Sequence, residues 1–201
     1  MYTFDDRKKD YQRAYQQYGN NPKSLQWTSR HSMDVRFVQM IDSLDFKNKS
    51  VLDVGSGLGS FVDVIKSQTE KFSYLGVDIV PEFISQAQKN YPNYRFLELN
   101  YFENPLDTVF DVVVASGCLN YNQGVNTLTY RQQYIKTMFD HTSYALAFNM
   151  AGYHPQPNNS KYSRVYYVDS CDIFNYCLNL TSNIIFKQHY DPLDFTLILF
   201  K

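Results

Sequence analysis

The sequence predicts an α/β fold: a three-layer sandwich with helices on both faces of one mostly parallel sheet. Two observations carry this expectation. Short apolar runs rich in Val, Ile, Leu and Phe alternate with helical patterns along the chain, as strand–helix–strand units require. One of them, Val51-Leu52-Asp53-Val54, lacks strict alternation, which suits a strand buried on both faces, and it enters a glycine-dense turn that opens a helix. At 201 residues the chain is expected to form one domain over 1–201. Within it, an N-terminal helical arm or cap would occupy 1–45 and the sheet core 46–201.

The arm comes first. Asp5 to Tyr18, rich in Gln, Arg and Lys, reads as a helix ended by Gly19-Asn20-Asn21-Pro22. Lys23 to Ser29 has no regular pattern. A second helix from His31 to Leu44 carries Met33, Phe37, Val38, Ile41 and Leu44 on one face. In the turn after the first strand, Gly55, Gly57 and Gly59 permit positive φ and, lacking Cβ, the close approach of a ligand. Ser60 is placed to cap the helix Phe61 to Ser67, whose first N–H groups would face that ligand. Phe72 to Ile79 is the second strand, with Asp78 at its tip, and Pro81 opens the helix that runs on from Glu82 to Asn90. Tyr94 to Leu99 is the third strand, followed by Asn100, Tyr101 and Phe102.

The fourth strand, Phe110 to Gly117, has strong β-branched content and emerges into Cys118 to Asn122. A helix from Thr127 to Phe139 leads to the fifth strand, Tyr144 to Asn149. Met150 to Tyr167 is irregular and includes Tyr153, His154 and Tyr162; leaving the ligand end of the fifth strand, it is a candidate lid or substrate loop. A helix over Ser170 to Leu178 precedes a closing strand–turn–strand pair, Ile184 to Tyr190 and Phe195 to Phe200.

Composition narrows the function classes. Nineteen basic against 20 acidic residues, a net charge of −1, give no basic face for a dedicated nucleic-acid binder. Arg7-Lys8-Lys9 lies among Asp5, Asp6 and Asp10 and reads as a solvated helix surface. No apolar run reaches spanning length and no signal-peptide pattern is present, so a cytoplasmic protein with no membrane partner is expected. Cys118, Cys171 and Cys177 lack zinc-ligand spacing; free thiols and no metal are expected.

The glycine spacing separates two nucleotide-binding patterns. A dinucleotide fingerprint needs G-x-G-x-x-G, whose last glycine would fall at Ser60, and the Lys-Ser/Thr ending of a P-loop is missing. The stretch Asp53-Val54-Gly55-Ser56-Gly57-Leu58-Gly59 instead resembles the first motif of the class I S-adenosylmethionine-dependent methyltransferases, and Asp78 at the second strand tip extends the resemblance. The resemblance implies a Rossmann-like, seven-stranded sheet of order 3-2-1-4-5-7-6 with the last strand antiparallel. It implies S-adenosyl-L-methionine as cofactor and S-adenosyl-L-homocysteine as product.

The cofactor-binding residues it implies are Asp53, Gly55, Ser56, Gly57 and Gly59, then Asp78 on the ribose hydroxyls with Ile79 beside it. Asn100 and Tyr101 would meet the adenine, and Ser116 and Gly117 would lie where transfer occurs. Many relatives carry an acid where Asn100 stands. The Ala115-Ser116-Gly117 stretch with Asn120 resembles bacterial small-domain members, and it lacks the Asn/Asp-Pro-Pro-aromatic signature of enzymes that methylate adenine or glutamine amides. An arm commonly folds over the cofactor in this family, which makes Tyr11, Tyr15, Tyr18 and Trp27 candidate covers.

A methyl sulfonium is already activated, so the reaction is an in-line displacement helped by positioning and by excluding water. An oxygen or nitrogen nucleophile can call for a base near neutral pH, and His154 is best placed by topology, ahead of His31 and His189. Asn120 and Tyr153 are the candidate substrate contacts. The expected reaction is methyl transfer to oxygen or nitrogen of a small-molecule acceptor. A non-catalytic S-adenosylmethionine-binding module, or an NAD-dependent oxidoreductase, are the alternative readings.

Overall fold

The computed structural model describes residues 4–159 and 163–201. Helix α1 (Phe4–Tyr18), a 3-10 turn (Pro22–Leu25) and α2 (Arg30–Ile41) precede the sheet. Then β1 (Lys49–Val54), α3 (Phe61–Lys66), β2 (Phe72–Asp78), α4 (Pro81–Asn90), β3 (Arg95–Glu98) and β4 (Phe110–Ser116) follow in turn. The chain continues through α5 (Thr127–Asp140), β5 (Thr142–Tyr153), β6 (Val168–Asp169), α6 (Ser170–Leu178), β7 (Ile184–Lys187) and β8 (Asp194–Phe200).

The main path of the sheet runs β3-β2-β1-β4-β5-β8-β7. The first five strands on it are parallel, and β8 runs antiparallel to both β5 and β7. This is the order expected from the sequence, with one addition: the two-residue strand β6 pairs with the end of β5.

Successive residues of each central strand face opposite sides, and both sides are covered. Val51, Val112, Val114 and Ala145 pack against Met33 and Phe37 of α2 and against Phe61 and Ile65 of α3. Leu52, Val54, Val113 and Leu146 pack against Ile135 and Met138 of α5 and Ile173 and Cys177 of α6. Double coverage is the reason these strands show no polar alternation. The connection order reverses between β1 and β4, which opens a crevice at the carboxyl ends of the strands.

Three local expectations need correction. The fifth strand runs from Thr142 to Tyr153, past Asn149, because antiparallel pairing with β8 continues to Ala151 opposite Asp194. Ser60 makes no side-chain cap: its backbone is already helical, at φ −60° and ψ −17°. Lys23 to Leu25, without a pattern in the sequence, lies in the 3-10 turn capped by Asn21, whose side chain accepts the Lys23 N–H.

Candidate active site

A cavity of about 210 Å³ opens at the carboxyl ends of β1, β2 and β4. Its floor is the β1–α3 turn with Asp53, Gly55, Ser56 and Gly57, together with Asp78 and Ile79 after β2 and Ser116 and Gly117 after β4. Asn100, Tyr101 and Phe102 form one wall and Cys118, Asn120 and Tyr121 another. The roof comes from far away in the sequence: Arg7 and Tyr11 of α1, Leu25 to Trp27 after it, and Arg164 and Val165.

The turn takes its shape from three positive φ angles, +78° at Gly55, +53° at Gly57 and +82° at Gly59, which L-residues with a Cβ rarely adopt. The space a Cβ would need is filled by protein. At Gly55 it belongs to Cys118, at Gly57 to Leu25 of the arm and at Gly59 to Tyr91 and Phe96. The expected reason for the glycines therefore needs amending: they admit neighbouring side chains as well as the bend. Gly59 lies behind the turn and does not line the cavity.

Asp78 holds the turn to the neighbouring strand tip. Its Oδ2 accepts the Gly57 N–H at 2.9 Å and its Oδ1 the Val80 N–H at 3.0 Å. Burial raises its carboxyl above the ordinary range, against the pull of those backbone donors and of Arg7. Asp53 is buried beneath it and accepts the Tyr74 hydroxyl at 2.5 Å. Burial pushes the Asp53 carboxyl up to about 7, the Tyr74 bond opposes the rise and the nearby Asp78 charge adds to it. The Cys118 thiol is pushed up to about 12 by burial, so this lining thiol is protonated at neutral pH.

The fourth strand tip is held by a residue that the sequence reading placed only as a strand end. Asn149 is fully buried; its Oδ1 accepts the Gly117 N–H at 2.8 Å and its Nδ2 donates to Ser116 Oγ at 2.9 Å. Asn120 likewise accepts the Ala151 N–H at 2.8 Å. A Cβ on Gly117 would stand 3.2 Å from the Trp27 indole, so the arm reaches the β4 end of the cavity.

The arm is fastened by polar contacts along α1: Lys8 to Glu98 at 2.8 Å, Gln12 to Glu82 at 2.9 Å and Tyr15 to Gln86 at 3.0 Å. Arg164 pairs with Asp10 at 3.0 Å and ties the second roof segment to the first. Of the four candidate covers, Tyr11 and Trp27 line the cavity; Tyr15 packs on Phe83 instead, and Tyr18 is exposed.

Other sequence candidates fall elsewhere. Tyr153 and His154 are not among the lining residues; His154 Nδ1 pairs with Asp169 at 3.0 Å, because β5 carries the chain outward to Tyr153 before the loop begins. His31, His141 and His189 are absent from the lining too. His141 is bonded through Nδ1 to the Tyr101 hydroxyl at 2.8 Å. Tyr162 lies outside the described residues. Arg7, Gln26, Tyr121, Arg164 and Val165 line the cavity without any local motif that marks them.

The donor set suits an adenosyl ligand. A carboxylate at a strand tip, a bent glycine turn and a wall of Leu99, Tyr101 and Phe102 offer acceptors for ribose hydroxyls and flat apolar surface for a base. Among the described residues, no helix is long and apolar enough to cross a membrane.

Comparisons agree with this geometry. A family model described as a methyltransferase domain matches residues 51–157. The release factor glutamine methyltransferase of Buchnera aphidicola is 34% identical over 77 residues, which is 36% of this chain and 27% of that protein. The chain thus matches about a quarter of the length of the curated relatives. Among solved structures, magnesium protoporphyrin IX methyltransferase from Synechocystis with bound S-adenosylmethionine superposes with a TM-score of 0.62 at 15% identity, covering 85% of this chain and 78% of that one. An S-adenosylmethionine-dependent methyltransferase from Clostridium acetobutylicum superposes at 0.65 and 14% identity, over 94% and 97% of the two chains. At such identities these likenesses speak for the fold.

Proposed function

We propose that this chain, which belongs to the methyltransferase-domain family, moves the methyl group of S-adenosylmethionine to an oxygen or nitrogen of a small-molecule acceptor. The observation that carries the reading is one cavity bounded by the Asp78 carboxylate at the tip of β2 and by Ser116 and Gly117 at the tip of β4. In this reading Asp78 binds the ribose hydroxyls while keeping its two backbone amides. The bend at Gly55 to Gly57 cradles the methionyl part, and Asn100 with Tyr101 receives the adenine.

The cofactor's sulfonium supplies an activated methyl group. The protein's part is to align donor and acceptor and to exclude water, and the arm with Trp27 serves both ends. The covered roof supports a small acceptor, because Tyr11, Trp27, Tyr121 and Val165 enclose the space beyond the fourth strand. Among the described residues no histidine lines the cavity, which favours an acceptor already nucleophilic at neutral pH. The same feature supports a second reading, a binding module without turnover.

The test is release of S-adenosylhomocysteine across a panel of small amines, phenols and carboxylates, with RNA and protein as controls. Turnover with one small class supports the proposal. Turnover only with a macromolecule overturns the acceptor assignment, and tight cofactor binding with no turnover on any acceptor favours the binding module.

A further inference from the structure

We propose that His154, Asp169 and Cys171 form a binding site for one zinc-like divalent cation, separate from the cavity. One nitrogen, one oxygen and one sulfur ligand atom from these residues lie within 4.8 Å of one another. Local structure brings them there. Tyr153 of β5 pairs with Asp169 of β6, which sets the next residue, His154, beside that aspartate. Asp169 caps α6 by accepting the Cys171 N–H at 2.9 Å, which holds Cys171 in the first turn next to the same carboxylate. His154 Nδ1 stands 3.0 and 3.1 Å from the two Asp169 oxygens. A hydrogen-bonded His–Asp pair accounts for two of the three groups and gives the thiol no part.

Imidazole, carboxylate and thiolate together suit a borderline cation such as zinc, whereas magnesium and calcium prefer all-oxygen shells. Two anionic ligands balance a dication, and three protein ligands leave a fourth tetrahedral position for water. On binding, an unprotonated imidazole nitrogen donates its lone pair and Cys171 releases its thiol proton to solvent. The His154 side chain is 58% exposed, so its ring can turn to present either nitrogen.

The location gives the cation a structural role. His154 follows β5 and Asp169 closes β6, on either side of the segment that carries Arg164 and Val165 of the cavity roof. One ion at its base clamps both ends of that segment, whose own side chains already staple it where Gln156 and Asn159 donate to the Tyr167 carbonyl. Sequence spacing hides the cluster because the pairing of Tyr153 with Asp169, which brings its members together, joins residues far apart in sequence.

The test titrates the reduced, metal-free protein with cobalt(II) alone and follows absorption. The expected result is saturable one-to-one binding with a thiolate-to-cobalt charge-transfer band, reversed by zinc. Cys171→Ser should remove that band, and His154→Ala should weaken binding by more than about tenfold, with circular dichroism confirming that both variants are folded. A missing charge-transfer band overturns the proposal. So does a band that persists in Cys171→Ser, which would place the thiolate at Cys118 or Cys177, or a His154→Ala protein that binds as tightly as the parent.

Discussion

Replacing Asp78 by alanine tests binding and folding at one residue. The carboxylate accepts two backbone N–H groups, from Gly57 at 2.9 Å and Val80 at 3.0 Å, and in the proposed complex it also accepts from the ribose. Hydrogen bonds to a charged group contribute about 1.5–3 kcal/mol, so the loss should weaken S-adenosylhomocysteine binding by about 10- to 150-fold. The two abandoned amides add a cost to folding of about 1–3 kcal/mol each where water cannot reach them. For a domain of this size each kcal/mol lowers the melting temperature by about 2–4 °C. Asp78→Asn, with one amide oxygen left to accept, should fall between alanine and the parent in both respects. The assay is calorimetric titration with S-adenosylhomocysteine, paired with thermal unfolding of the same preparations. A folded alanine variant that binds within about twofold of the parent would remove Asp78 from the ribose and refute the argument.

Three further perturbations follow from the geometry around the cavity. Gly57→Ala sets a Cβ 2.6 Å from Leu25 Cδ2 at a residue with φ +53°, and should cost about 1–3 kcal/mol in urea unfolding. Adding Leu25→Ala should recover the contact part and not the backbone part; no recovery would mean the arm does not press on the turn. Asn149→Ala leaves the Gly117 N–H and Ser116 hydroxyl without their buried partner and should cost about 1–3 kcal/mol, again read by urea unfolding. An unchanged midpoint would show that the β4 tip is held otherwise. For Asp53 the folded carboxyl is raised to about 7, so its contribution to stability is full below the ordinary carboxyl range and is lost as pH climbs through about 7. The parent should therefore lose stability relative to Asp53→Asn between about pH 4 and 7, the window from the ordinary carboxyl value to the raised one, when melting temperatures are compared, and parallel pH profiles would contradict the assigned burial.

The strands and the floor of the cavity were legible because their signals are local, and the strand order was implied by the family resemblance that these same residues carry. A buried run ending in Gly55, Gly57 and Gly59, and an acid ending the next strand, each announce a strand tip within a few residues. The roof was not legible, because it depends on contacts between distant segments. Leu25 meets Gly57, Trp27 meets Gly117, and Arg164 meets Asp10, and no short pattern marks any of these pairs. The loop after β5 misled for a related reason. Pairing with β8 as far as Ala151, and then with β6, prolongs the strand to Tyr153, and His154 then turns to Asp169 rather than to the cavity. Asn149 was hidden in a different way, since a polar residue at a strand end looks like a boundary when its side chain in fact braces the neighbouring tip.

The central claim is that the cavity takes an adenosyl cofactor. Calorimetric titration of the unmodified protein with S-adenosylmethionine and S-adenosylhomocysteine, beside NADH, tests it most directly. Saturable micromolar binding of both adenosyl ligands, with no heat from NADH, is the predicted result. Binding of NADH in their place, or no binding of either adenosyl ligand, would contradict the account.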